Sequence, residues 1–410
     1  MFGKKKAPTP GPAQQREQAP PDTEQESGGG VLGGIAAWGN DALQGVLGLA
    51  KNPKQAVYDA RLGMEGRQES VLDDAHDVSN QDVILEQLAH KGAYGGLDNR
   101  KLAGWGYKEM GAAQDPESGF RAVLFVPTEE ALAGKTDQAK VITAIHGGKP
   151  PPVLAFRGTK EKRGMQDDTT KAGVGTYQFA SNEGRVKDIM GMAGGKVIVA
   201  GHSLGGALAQ LAATHFPGNV SRVVTFQSPG IPKEESDKLD EHNKNAAPVD
   251  QVKSTHHRAE GDAVHLAGEA LTDGDVFTYG SVGVGNPMDH MSFPLARLAA
   301  ARGDMIPGIN DADVGDKGGD KLVNVEKTSA KDEKDSLIAK GSEGARKFFG
   351  GAVRDKTMDK YVTVWKDVKS MIDSKAFGKN YVLGVIKDNP DLTPDQKVKM
   401  RDQATKLLEA

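Results

Sequence analysis

There is no cysteine anywhere in the chain. That excludes a disulfide framework, a thiolate nucleophile and a cysteine metal site, and it fits an intracellular bacterial protein or one exported without disulfides. Aromatic residues make up only 5% of the 410 positions and hydrophobic residues only 37%. With 52 glycines besides, a modest core with long polar connections is expected. The net charge is small, −4, and no basic stripe is interleaved with aromatics, so nucleic acid is not an expected partner. A long uninterrupted apolar run is also missing. The most apolar stretch, residues 31–50, carries Asn40, Asp41 and Gln44 in its middle, too polar for a membrane span of about 20 residues. Its Ile35, Trp38, Ala42, Val46 and Leu49 recur at helical spacing, which predicts an amphipathic helix packed on the main domain, with contact to a membrane surface as the sharper reading. Lys4, Lys5 and Lys6 are followed by no apolar core, so no secretory signal peptide is read here. The protein is expected to be cytoplasmic as made, and any export would take a specialised secretion system.

The composition divides the chain. Residues 1–30, rich in Pro, Gln, Glu and Gly, read as a disordered tail. Residues 31–115 read as a helical N-terminal extension, with Val83, Ile84, Leu85, Leu88 and Ala89 on one segment and glycines 92, 95 and 96 ending it. The period then changes to that of strands. Residues 120–126, 141–145 and 153–157 are three apolar runs bounded by turn residues, and 196–200 and 223–226 follow. The core, 116–302, is therefore expected to be an α/β fold with a mostly parallel sheet and helices on both faces. Residues 303–335, dense in Gly, Asp and Lys, read as a linker or surface loop. Residues 336–410 read as a helical C-terminal segment, with a stripe at Tyr361, Val364, Trp365, Val368, Met371 and Ile372, and a helix start at Thr393-Pro394-Asp395-Gln396.

The chain is organised around residues 196–209. A β-branched run, Val197-Ile198-Val199, leads into Gly201-His202-Ser203-Leu204-Gly205 and then into an alanine-rich helix. The glycines permit a sharp turn from strand to helix and leave room beside a serine held in a strained conformation. The N–H groups that open the helix favour a negative charge developing above it.

A serine hydroxyl is a poor nucleophile until a base takes its proton, and the base needs a partner to hold its ring. Of the later histidines, His215 ends the helix and His242 lies in a charged run. His290 sits in a polar loop before an apolar helix, the position that suits a base swinging over Ser203. For the acid, Asp262 in Gly261-Asp262-Ala263-Val264 lies just past a strand end. Its rivals are weaker, since Asp275 belongs to Asp273-Gly274-Asp275, read as a hairpin turn, and Asp289 adjoins His290. An oxyanion hole needs two donors: the backbone N–H of Leu204, and a second from the turn after an earlier strand. Phe156-Arg157-Gly158-Thr159 fits and points to Thr159. His146-Gly147-Gly148 competes but reads better as a turn.

Taken together, Ala155-Phe156-Arg157-Gly158-Thr159, the run Val197–Ala209, Val224-Thr225-Phe226-Gln227-Ser228-Pro229, Gly261-Asp262-Ala263-Val264 and the late His290 resemble the class 3 lipase family across residues 119–300. The resemblance implies an α/β-hydrolase that cleaves carboxylic esters of lipids, with Ser203 as nucleophile, Asp262 as orienting acid, His290 as base, and Thr159 and Leu204 at the oxyanion hole. Gly119-Phe120-Arg121-Ala122 is similar to the bacterial phospholipase A1 branch, whose members are exported without a signal peptide. There are departures: residues 164–175, where the family carries a lid, have no tryptophan, and His265 replaces the usual proline after Asp-x-Val and stands as a rival for Asp262.

No cofactor is expected. Asp311-Ala312-Asp313-Val314-Gly315-Asp316 begins like a calcium loop but lacks glycine at its sixth position and Glu at its twelfth, so no metal is expected either. The expected partners are a lipid or phospholipid substrate, a membrane surface, and, for an exported effector, an immunity protein or secretion machine. The alternatives are an esterase for non-lipid substrates and a catalytically silent, hydrolase-like interaction protein.

Overall fold

The computed structural model describes residues 74–158, 173–259, 262, 264–281, 290, 292–304, 306–309, 322–331 and 356–409. In chain order the helices are α1 (Asn80–His90), α2 (Asn99–Gly104), α3 (Glu129–Ala133), α4 (Asp137–His146), α5 (Thr176–Ala180), α6 (Glu183–Gly191), α7 (Leu204–His215), α8 (Lys233–Asn245), α9 (Pro294–Arg302), α10 (Lys356–Ser374), α11 (Lys379–Asp388) and α12 (Pro394–Glu409). The strands are β1 (Tyr107–Asp115), β2 (Phe120–Pro127), β3 (Val153–Phe156), β4 (Val197–His202), β5 (Val220–Phe226), β6 (Lys253–Ala259), β7 (Gly274–Ser281) and β8 (Leu322–Ser329). They form one sheet in chain order. β3 to β7 run parallel, while β1 and β2 at one end and β8 at the other pair antiparallel. This is an α/β core with a mostly parallel sheet and helical flanks, as expected.

The period-2 alternation of a strand decides what each face holds. Ile198 and Ala200 of β4 and Val224 and Phe226 of β5 bury against α1 and α9, beside Leu85, Leu88, Leu295 and Leu298. Val197, Val199 and Val223 point the other way, into a core shared with α6, α7 and α8. Every residue of β4 is buried, as befits a central strand covered on both sides.

Several expectations are corrected. The core begins before residue 116, because β1 completes the sheet and α1 lies buried beneath it, so residues 74–115 are not a separate helical extension. Val141–Ile145 is the middle of α4 and not a strand: the Thr136 hydroxyl accepts the Ala139 N–H at 3.0 Å and starts a helix there. Asp273-Gly274-Asp275 is no hairpin, since β7 begins at Gly274 and runs parallel to β6. Residues 303–335 are not wholly linker, because β8 pairs with β7 as an edge strand. The tail 1–30, the apolar stretch 31–50, Thr159, residues 164–172 of the lid position and Asp311–Asp316 lie outside the described residues. No helix among the described residues is long and apolar enough to cross a membrane.

The C-terminal helices have their own core of Tyr361, Trp365, Val368, Val382, Ile386, Met400 and Ala404. The capping box at Thr393 forms as expected: its hydroxyl accepts the Gln396 N–H at 3.2 Å, and its own N–H donates to Gln396 Oε1 at 3.0 Å. These helices dock on α5 and α6. Gly184 N–H donates to Gln403 Oε1 at 2.6 Å, and Trp365 Nε1–H donates to Glu183 Oε2 at 2.7 Å.

Glu183 also holds the end of α7. His215 Nδ1 lies 3.0 Å from Glu183 Oε1 and its Nε2 lies 3.1 Å from Glu235 Oε2. With a carboxylate on each side both nitrogens donate, so the ring is cationic. Burial opposes that charge, but the two carboxylates outweigh it and hold the pKa up at about 9, while Glu235 is drawn down to about 2. His215 therefore contributes stability that is fully present below its ordinary 6.5 and lost as pH rises through 9. Glu235 contributes above its ordinary 4.5, and that part is lost as pH falls toward 2. The urea midpoint is expected to decline between pH 6.5 and 9.5, by up to about 3 kcal/mol of unfolding free energy from this group. His215→Gln should flatten that decline, and an equally steep decline in the variant would refute the assignment.

Candidate active site

The parallel strands bring their C-terminal ends level. Phe156 of β3 pairs with Gly201, His202 of β4 with Phe226, and Phe226 of β5 with His257. Gly158, Ser203 and Gln227 thus emerge along one edge of the sheet, where an open α/β fold places its ligands. Asp262 follows β6 on the same side.

Ser203 has φ 57° and ψ −133°, a region non-glycine residues avoid at a cost of about 1–3 kcal/mol. The conformation is over-determined by its surroundings. Ser203 N–H donates to the Phe226 carbonyl at 3.0 Å, and its carbonyl accepts the Gly206 N–H at 2.8 Å. The glycines are required by close approach: a Cβ on Gly201 would overlap the Gly205 carbonyl, one on Gly205 the Phe156 carbonyl, and one on Gly206 the Ser228 side chain. The turn after β3 comes equally close, since a Cβ on Gly158 would stand 2.7 Å from the His202 carbonyl and 3.3 Å from Ser203 Cβ. Thr159, next in the chain, lies outside the described residues. Leu204 is the first residue of α7, so its N–H belongs to the set that has no acceptor within the helix.

The acid and the histidine chosen from the sequence are brought together. His290 Nδ1–H donates to Asp262 Oδ2 at 3.0 Å, with both side chains buried. Asp262 Oδ1 accepts the Val264 N–H at 2.9 Å, so the carboxylate is fixed at both oxygens. Burial alone would raise the Asp262 pKa, but the His290 ring and these bonds hold it below the usual carboxylate value. His265, the rival for Asp262, does not occupy either oxygen in this arrangement; burial pushes its ring down to about 4 and so keeps it neutral.

His202, the residue before Ser203 in the chain, touches the His290 segment directly. Its Nε2–H donates to the His290 carbonyl at 2.8 Å, and the two rings lie 4.7 Å apart. Burial pushes His202 down to about 3, with His290 adding to the effect, which leaves a neutral ring suited to this one bond. The His90 ring of α1 also packs on His202, with the ring centres 3.8 Å apart and tilted by 35°. Gln227, itself at φ 44°, donates from Nε2 to the Ser292 carbonyl at 3.4 Å. Sequence reasoning missed His90, Gln227 and Glu86, treated below. The signal for two of them was present: Asp82, Glu86 and His90 recur every fourth residue on a helix that also carries Val83, Ile84, Leu85, Leu88 and Ala89.

The other candidates are placed elsewhere. His146 ends α4 and bonds the Trp105 carbonyl at 2.9 Å, with Gly147 at φ 64° as the helix cap, so His146-Gly147-Gly148 is no oxyanion loop. Asp275 lies within β7 beside Lys327. His256 bridges Thr225 and the Thr272 carbonyl within the core. No group of three metal-ligating side chains occurs among the described residues.

The model of the family Lipase (class 3) matches residues 186–258. No curated protein is a significant match to the chain. Among solved structures, the lipase of Rhizopus microsporus var. chinensis is 15% identical, covering 48% of this chain and 74% of its own, with a TM-score of 0.32. A triacylglycerol lipase of Penicillium expansum is 14% identical over 51% and 81%, with a TM-score of 0.32. The Rhizomucor miehei lipase in its propeptide complex is 16% identical over 52% and 80%, with a TM-score of 0.34.

The elbow glycines give a direct test. Gly201→Ala should cost several kcal/mol and prevent a stable fold, because the overlap is with backbone that has nowhere to go. Gly218→Ala, with no atom within 4 Å of the added carbon, should melt within a few degrees of the parent. Equal melting temperatures for the two variants would show the turn to be looser than described. The resemblance read from the motifs is matched by the family's own model: over residues 186–258, which bear β4, the elbow, β5 and most of β6, this chain is similar to the class 3 lipases.

Proposed function

We propose that the protein is a serine lipase or phospholipase, phospholipase A1-like, that hydrolyses acyl esters of lipids through an acyl-enzyme. The observation that carries this reading is the pairing of a strained serine elbow with a buried His290–Asp262 hydrogen bond on the same sheet edge. In this reading Ser203 Oγ attacks the ester carbonyl while His290 Nε2 takes the hydroxyl proton, and Asp262 stabilises the imidazolium without itself being protonated. The Leu204 N–H and Thr159 receive the charge that develops on the carbonyl oxygen. His290 returns the proton to the departing alcohol, the C–O bond breaks and the acyl-enzyme remains. A water then loses its proton to His290, attacks the acyl carbon and releases the fatty acid, and the proton goes back to Ser203. Specificity for the first acyl position of a phospholipid is supported by Gly119-Phe120-Arg121-Ala122. Delivery as an exported bacterial effector is supported by the composition of the N-terminal residues, and appearance of the protein outside intact cells only when an export machine is functional would test it.

Ser203→Ala should lower the rate by about 10⁴-fold or more with little change in binding. Products released from a phospholipid with distinct acyl chains would identify the position cut. A Ser203→Ala variant that still works at the parent rate overturns the assignment, and parent protein that cleaves only short-chain esters replaces lipid with a small ester as substrate.

A further inference from the structure

Helix α9 begins a few residues after His290, and its first turn is capped from outside. Its cap residue is Phe293, whose side chain has no acceptor, and Pro294 opens the helix. The N–H groups of the first turn therefore need acceptors from elsewhere. They find them on α1: Glu86 Oε1 accepts the Leu295 N–H and Oε2 accepts the Ala296 N–H, each at 3.0 Å. Glu86 is fully buried. One carboxyl group on one helix thus closes the start of another. Four residues further along α1, the His90 ring packs 4.6 Å from the Phe293 ring and 3.8 Å from that of His202.

The segment that bears His290 is consequently held at successive polar groups: its carbonyl at 290 by His202, at 292 by Gln227, and its N–H groups at 295 and 296 by Glu86. The first two anchors stand on β4 and just beyond β5, and the third on α1. An isolated carboxylate in an apolar core is expensive. Burial drives Glu86 up to about 8, against the pull of the two N–H groups and the more distant Arg297 and Lys91. A leucine or methionine at this position would avoid that cost but leave the Leu295 and Ala296 N–H groups without an acceptor. What the carboxyl group gives is a fixed direction for the chain leaving His290.

We propose that Glu86 is a positioning residue for the reaction, setting where His290 stands relative to Ser203 by capping α9. This rests on the serine-hydrolase reading above. A misplacement of a base by about 1 Å can cost on the order of 100-fold in rate, so the loss of this cap should appear in turnover before it appears in substrate binding.

The test compares Glu86→Gln, Glu86→Ala and Leu298→Ala in the full chain. Leu298 is buried on α9 and packs in the same core, but it caps nothing. Glu86→Gln can satisfy only one of the two N–H groups, so its kcat on a soluble ester should fall about tenfold, and that of Glu86→Ala about 100-fold, with KM nearly unchanged. Leu298→Ala should lower the melting temperature comparably yet keep kcat within about twofold. A proton NMR spectrum of the parent should show a far-downfield imidazole N–H from the His290–Asp262 bond, weakened or lost in both Glu86 variants and kept in Leu298→Ala. Should the Glu86 variants keep both kcat and that resonance, or should Leu298→Ala lose kcat in proportion to its melting temperature, the proposal is overturned. If the parent hydrolyses no ester and Ser203 resists a fluorophosphonate probe, the hydrolase reading fails by itself. The resonance then still reports whether Glu86 sets His290.

Discussion

No side chain fits between the end of β4 and the first turn of α7, and the geometry of the sheet edge follows from that. The backbone of Gly201 lies so near Gly205 and Gly206 that a single added carbon would overlap it. The same first turn presses on the Phe156 carbonyl at the end of β3, so the elbow fixes the neighbouring strand as well as its own. Ser203 accepts an unfavourable backbone conformation because the Phe226 carbonyl and the Gly206 N–H hold it from two directions. A strained residue persists only where its surroundings leave it no alternative. Here the surroundings are three adjacent strands and a helix, all of them buried.

Burial also sorts the histidines. His90, His202, His256, His257 and His265 are all driven below their ordinary pKa by the cost of placing a cation in the core, and so act as neutral spacers or single hydrogen-bond donors. His215 goes the other way because a carboxylate faces each nitrogen. The geometry of His290 is set by its partners: one nitrogen is committed to Asp262, and the ring stands on a segment anchored by others. A side chain that must exchange protons with a substrate needs one fixed nitrogen and one directed outward, and the Asp262 bond supplies the first of these.

Much of this was legible in the sequence, for reasons that can be stated residue by residue. The G-x-S-x-G turn was readable because close packing of strand on helix tolerates nothing but glycine at Gly201 and Gly205. Asp262 and His290 were readable because chain order and the ends of apolar runs mark the sheet edge. Val141–Ile145 was misread because a five-residue apolar run has no period of its own; the deciding evidence was Thr136, a cap three residues before Ala139. β8 was hidden for a different reason. The edge strand Leu322–Ser329 follows a run of Gly, Asp and Lys and itself ends in Glu326-Lys327-Thr328-Ser329, so it reads as part of a loop, and only its pairing with β7 reveals it. The stripe Asp82, Glu86, His90 escaped because polar residues on a helix are ordinarily solvated. Their burial depends on α9 and β5, distant in the chain, and Arg222 reaches Asp82 with two bonds of 2.6 and 2.7 Å.

The two faces of the sheet divide the labour. On one face, α5 and α6 pack with α7 behind Ser203, and the C-terminal helices brace them through Glu183, Gly184 and Lys399, which pairs with Asp115. On the other, α1 and α9 lie together against β4 and β5 and determine how the chain approaches His290. The serine is thus referenced to one layer and the histidine to the other, and only the sheet between them is common to both. Any relative slip of the layers would change the separation of the two groups directly. Charged pairs fix both faces: Asp82 of α1 with Arg222 of β5 ties a helix to the sheet, and Glu183 of α6 with His215 of α7 ties two helices of the other layer together. Apolar packing alone permits small sliding at little cost, whereas a two-point hydrogen bond between charged groups has one geometry.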